Sequence, residues 1–237
     1  MDVIPHQDLR NPLPSDGDAT AFGDLPYACA APYSRNIGDF RAPTRVVGRL
    51  PDLTAAINPQ YLIRLLQRAA EYVSSPRKSY ESYLGISARV WSASTALSLE
   101  NTVGSSAELQ VSPSAGPKWT AAQLRRRSVF INCHGAAADS HFYGQRGNDY
   151  PIAHDASYLG GRVAEGSVVA AECCYGAELY DPNLSGGQQA ICNTYLAGGA
   201  YGFFGSSTIA YGPSSGWGSS VCWASRRSTR WRPPSLR

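Results

Sequence analysis

A chain of 237 residues with 43% hydrophobic and 16% charged side chains is long enough for one sizeable α/β domain and too apolar to be disordered. No run approaches the roughly 18 apolar residues that span a bilayer, and no basic stretch followed by an apolar one opens the chain, so neither a membrane partner nor a signal peptide is expected. The net charge of +3 does not make a nucleic-acid binder: five arginines and no acid fall in residues 219–237, leaving a slight acidic excess elsewhere, and a basic terminal run without a binding motif is a solvated tail.

In chain order, residues 1–6 read as the end of a strand whose beginning is missing. Residues 10–43, rich in Pro, Gly and Asp, predict a long irregular segment in which Cys29, like His6 before it, is a loop residue. Thr44–Gly48 predicts a short strand. Asn58-Pro59 starts a helix, because Asn accepts from the free N–H groups and Pro suits the first turn. Leu62, Leu65, Leu66, Ala69 and Val73 then follow helical spacing and predict a stripe packed on one sheet face, ended by Ser75-Pro76. Ile86–Ser92 alternates as a strand does, whereas Ala96–Val103 carries no clear preference. Gly116-Pro117 breaks the chain before a predicted helix over Trp119–Arg127, whose three terminal arginines suit a helix C-terminus and its solvent.

Two apolar runs follow, Val129-Phe130-Ile131 and Val168-Val169-Ala170-Ala171. Short runs of this kind read as strands buried on both faces, which predicts a mostly parallel sheet covered by helices. In such sheets ligands bind at the carboxyl ends of the strands. The first run leads into Asn132-Cys133-His134-Gly135 and the second into Glu172-Cys173-Cys174-Tyr175-Gly176. Between them, residues 136–162 form a predicted loop on the same side, holding His141, Tyr143, Asp149, His154 and Asp155. Both histidines there read as hydrogen-bonded loop residues. Asp139, Asp149 and Asp155 are each able to orient His134 or to receive a basic substrate side chain, and spacing does not choose among them. Downstream, Gln188–Ala197 predicts a helix and Ala200–Phe204 another buried strand. The loop Gly205–Tyr211 makes Ser206, Ser207 and Tyr211 candidate pocket walls, with a simple Gly/Ser turn as the equal alternative.

A thiol near pKa 8.5 is only a few per cent ionised at neutral pH, so a neighbouring imidazole that takes its proton is the usual route to a nucleophile. His134 supplies that base, a strand-end cysteine the sulfur, and the N–H groups of Gly135 and Cys173 a site for an oxyanion. Counting decides provisionally between the two cysteines. His134 lies five positions after Val129 and Cys173 five after Val168, so strands paired in step put those two side chains on one face. Cys174 is the alternative nucleophile.

The ordered pair of strand-end motifs, with a separation of 39 residues between His134 and Cys173, resembles the caspase-like cysteine peptidases. The closer resemblance is to the gingipain-type (C25) peptidases. It extends to Thr44–Pro51, the helix after it, His-Phe-Tyr-Gly at 141–144 and the Gly/Ser-containing segment 202–213, and so covers most of residues 1–213. One residue between Cys and Gly, as in caspases, selects Cys174; two residues, as in gingipains, select Cys173. The resemblance implies an α/β caspase-like three-layer sandwich over residues 1–218, a protein or peptide substrate, a preference for Arg or Lys before the cut bond, and no cofactor.

The chain departs from that family after Pro213. An acidic residue and an amphipathic helix are expected there, yet the sequence runs into Ser, Gly, Trp and Arg, and no Asp or Glu follows Asp181. An incomplete copy, shortened at both ends, is therefore expected, with residues 219–237 a disordered basic tail and apolar sheet surface left uncovered. A catalytically inactive binding module is the alternative function. A zinc site from Cys133, His134, Cys173 and Cys174 lacks the usual ligand spacing, so no metal is expected. Six cysteines at irregular spacings do not read as a disulfide framework, which favours reduced thiols and the cytoplasm, although enzymes of the family it resembles are often exported.

Overall fold

A computed structural model describes residues 5–12 and 19–210; the predicted tail at 219–237 and Tyr211 lie outside the described residues. The chain divides into two compact units, Met1–Leu50 and Pro51–Arg237, so a division falls inside the single domain expected over 1–218. In the first unit, β1 (Gln7–Arg10) pairs antiparallel with β2 (Thr20–Gly23), followed by the single turn α1 (Leu25–Ala28). Leu9, Cys29 and Phe40 form its small core. The segment read as irregular thus contains a hairpin. The strand expected at Thr44–Gly48 does not form: Val46 is 91% exposed, and without a neighbouring ladder the chain there has no pairing to adopt.

The second unit opens with α2 (Gln60–Ala70), where Asn58 Oδ1 accepts the Gln60 N–H at 3.0 Å. The buried face is not the expected stripe. Tyr61 and Leu65 turn inward while Leu66 and Val73 are 50% and 71% exposed, because two polar side chains fix the helix rotation. The Tyr61 hydroxyl donates to the Asn193 carbonyl, and Arg68 donates to the Leu196 carbonyl. Next come β3 (Tyr83–Ala88), α3 (Ser92–Val103), β4 (Leu109–Ser112), the single turn α4 (Ala121–Leu124) and β5 (Ser128–Asn132). The helix expected over Trp119–Arg127 shrinks to α4 because Thr120 and Gln123 close a reciprocal cap and Trp119 is drawn into the core. The following arginines tie elements together: Arg126 pairs with Glu108 at 3.1 Å and Arg127 donates to Ser75 Oγ.

After β5 the predicted loop folds into a small antiparallel sheet, β6 (His134–Gly135), β7 (His141–Tyr143) and β8 (Ile152–Asp155). The chain then returns through β9 (Val168–Ala171), α5 (Ile191–Ala197) and β10 (Gly202–Gly205). The main sheet has the order β10-β9-β5-β3-β4 with every pairing parallel. This is the doubly wound order 2-1-3-4-5, whose direction of winding reverses between its first and third strands, here β3 and β5.

Leu84, Ile86, Val129, Ile131, Val169 and Ala171 make one face of the sheet and pack with Trp119, Leu124, Leu159, Ile191 and Tyr195. On the other face α3 comes close because Gly85 has no Cβ; one there would stand 2.8 Å from a Leu99 methyl. Ser87 and Thr95 hydroxyls bond across that contact at 2.8 Å. Helices on both faces of a five-stranded parallel sheet make an α/β architecture compatible with a three-layer sandwich. Beyond the reach of α3 the same face shows apolar surface, with Val168 46% and Phe204 59% exposed. Among the described residues no helix is long and apolar enough to cross a membrane.

His154, read from sequence as a loop residue, is fully buried in this core. Trp119 Nε1–H donates to its Nδ1 at 2.9 Å, so the ring proton sits on Nε2 and faces the Tyr195 hydroxyl oxygen at 3.0 Å. Desolvation pushes this imidazole from 6.5 down to about 4, against a smaller opposing effect of Asp155. The unfolded chain takes up a proton near pH 6.5 that the native core refuses, so stability is intact above that pH and falls as pH drops toward 4. The loss expected over that interval is about 3 kcal/mol. Urea midpoints at pH 7.5, 6 and 4.5 check it: the fall is expected to be shallower in His154→Gln, and equal slopes in both proteins would refute the assignment.

Candidate active site

The carboxyl ends of β3 and β5, at the reversal of strand order, hold the first part of the site. His134 leaves β5 there, and the chain leaving β3 brings Trp91 against it, ring centroids 4.3 Å apart. Tyr150 meets the imidazole edge-on from the other side at 5.1 Å. The ring is held in its plane by Gln145, whose Oε1 lies 2.7 Å from His134 Nε2. Trp91, Tyr150 and Gln145 were not singled out by the sequence. Their positions at a strand end or in the loop after β5 were the only signal available.

The strand register places the cysteines. Val129 pairs with Val169, and Ile131 with Ala171, one step away from the in-step pairing of Val129 with Val168 assumed by counting. The ladder ends at Ile131 and Ala171; two residues further on, Cys133 and Cys173 stay in the buried core, whereas Cys174 enters a turn. A one-residue shift moves a side chain to the other face, and burial agrees. Cys173 is 1% exposed and shares the main core with Cys133. Burial pushes the Cys133 thiol up to about 12 and the Cys173 thiol well above its ordinary value. Cys173, favoured from the sequence, is therefore a core residue with its sulfur 3.9 Å from the Ile131 carbonyl. Cys174 is partly exposed. Its sulfur lies 3.4 Å from both the N–H and the carbonyl oxygen of Ala210.

Gly135 explains how the two motifs meet. A Cβ on this residue would lie 1.9 Å from the Cys174 carbonyl oxygen, so the backbone of the His-Gly motif rests directly on that of the cysteine. A second tie runs from the Ala138 N–H to the Glu178 carboxylate at 2.7 Å. Tyr175 takes a left-handed φ of 53°, costly for a residue with a Cβ. This bends the chain away immediately after Cys174 and lets the Gly176 N–H close onto the Cys173 carbonyl at 3.1 Å. Of the expected oxyanion donors, Gly135 is at the site.

An open cavity of about 340 Å³ is lined by His134, Gly135, Ala136, Asp139, Tyr143 and Tyr150. It separates the three candidate aspartates. Asp139 lines it, with its carboxylate accepting from His141 Nδ1 at 2.7 Å and from the Tyr143 hydroxyl at 2.6 Å. Asp149 faces Arg146 at the surface, and Asp155 caps the Ser157 N–H. The His134 Nε2 partner is an amide rather than any of these acids. Two of the three candidate pocket-wall residues, Ser206 and Ser207, do not line this cavity. Ser206 instead accepts the Ala177 N–H through its carbonyl at 2.8 Å, and Thr208 accepts that of Tyr175 at 2.8 Å, so this loop braces the turn carrying Cys174. Glu172 adds a carboxyl two positions before Cys174 that burial pushes up.

The four residues of the zinc alternative are split between sheet faces, Cys133 and Cys173 inward, and among the described residues no group of three or more His, Cys, Asp or Glu could hold a metal ion. Compared with protein-family models, curated proteins and solved structures, the chain matches none.

Proposed function

We propose that this chain is a cysteine peptidase of the caspase-like, gingipain-type kind, with Cys174 as nucleophile and His134 as base. The observation that carries the reading is the contact of Gly135 with the Cys174 backbone. It joins the backbones of the histidine and cysteine motifs, distant in the chain, at one strand-end edge. The thiol proton passes to the imidazole and the sulfur attacks a peptide carbonyl carbon. The N–H groups of Gly135 and Cys174 receive the developing oxyanion. The imidazolium then returns its proton to the leaving amine as the C–N bond breaks, and water hydrolyses the thioester. Asp139 in the adjoining cavity supports a cationic side chain beside the cut bond, because a carboxylate with two donors still has lone pairs to offer.

Incubation with a peptidyl acyloxymethyl ketone, followed by mass spectrometry of the digest, tests the reading. Labelling of Cys174 together with hydrolysis of Arg- or Lys-containing fluorogenic peptides is expected. Absence of both, with the protein folded, would favour the inactive binding module, a reading supported by the hold of Ala210 on the sulfur.

A further inference from the structure

Three observations around His134 converge on its nitrogen chemistry. Gln145 Nε2 lies 2.9 Å from the Gly147 carbonyl and 3.2 Å from the Tyr150 hydroxyl. A carbonyl only accepts, so the amide NH2 must point that way and Oε1 must face the ring. An amide oxygen also only accepts. At 2.7 Å, His134 Nε2 is therefore the donor, and in the neutral ring Nδ1 carries the lone pair. The main chain carrying this side chain is anchored as well: the Gln145 backbone N–H donates to the Ser112 carbonyl at the end of β4, and the Gly144 N–H donates to the Pro151 carbonyl. Trp91 and Tyr150 fix the ring plane.

We infer that Gln145 is the positioning residue of this site, holding the proton of His134 on Nε2 so that Nδ1 exchanges a proton with Cys174. The inference rests on the peptidase reading above. A carboxylate in this place would both orient the ring and stabilise its cationic form; a neutral amide only orients it. The titratable side chains lining the cavity beside the ring are Asp139, Tyr143 and Tyr150, and Glu172 and Cys174 follow the neighbouring strand β9 in sequence. The nearest carboxylate in the cavity, Asp139, is already engaged by His141 and Tyr143.

Two variants and two readouts test the assignment. Gln145→Leu, which keeps bulk but offers no acceptor, is expected to lower kcat by about 10- to 100-fold with KM within about twofold. Gln145→Glu restores orientation and moves the alkaline limb of the kcat/KM profile up by about one pH unit. Nitrogen-15 spectra of the histidine side chains, read without any substrate, are expected to show the Nε2–H tautomer for His134 in the parent and a mixture in Gln145→Leu. An Nδ1–H tautomer in the parent, or an active parent whose Leu variant keeps kcat and whose Glu variant keeps the pH profile, would overturn the role of Gln145. A parent with the Nε2–H tautomer but no Cys174-dependent hydrolysis would instead count against the peptidase reading alone.

Discussion

Cys174→Ala is expected to abolish peptide hydrolysis, a loss of at least roughly 10⁴-fold of the kind that follows removal of a nucleophile, while Cys173→Ala keeps activity within a few-fold of the parent. The two residues are neighbours in sequence and opposites in environment. Cys173 sits in the core with its thiol pushed well up by burial, so it has neither the access nor the thiolate population that attack requires. Its truncation removes one buried sulfur and should cost about 1–2 kcal/mol, which a thermal melt would detect as a few degrees for a chain of this size. Cys174→Ala should leave the melt nearly unchanged. If the alanine at 173 abolishes turnover while the protein remains folded and the one at 174 spares it, the register argument and the mechanism built on it are both wrong.

Gly135→Ala is expected to have the second-largest effect. The new methyl would meet the Cys174 carbonyl oxygen at 1.9 Å, where real Cβ atoms essentially never come within 3.0 Å. The obstacle is backbone and cannot rotate away, so the His-Gly and Cys segments must separate by about 1 Å. A displacement of that size at reacting groups costs roughly 100-fold in rate, and the overpacking itself costs about 1–3 kcal/mol of stability. Gly160→Ala is the control, since a methyl added there would meet nothing within 4 Å. Equal kcat/KM for the two variants, measured well below their melting temperatures, would show that the close approach has no part in the chemistry.

The parallel sheet, and the placement of His134 and the cysteine pair just after its strands, were legible from the chain because they depend on local pattern. The two short apolar runs form strands, β5 over Ser128–Asn132 and β9 over Val168–Ala171, but β9 is buried on one face only, with Val168 left half open on the other. Helix boundaries were less legible wherever side chains bond at long range. The face of α2 follows the bonds from Tyr61 and Arg68 to α5 rather than the aliphatic count, and the loop after β5 becomes strands only when its segments find each other.

By itself the sequence determined that His134-Gly135 and a cysteine pair follow buried strands, because apolar runs and their punctuation are properties of neighbouring residues. Which cysteine is buried and which stays partly open at the strand end was decided only in the folded chain. Strand register is set by how whole strands and their covering helices fit together, and a shift of one residue exchanges the buried and the open side of the sheet. The same holds for Gln145: eleven positions beyond His134, it reaches the ring only because the return of β7 and β8 carries it back to the edge of the parallel sheet.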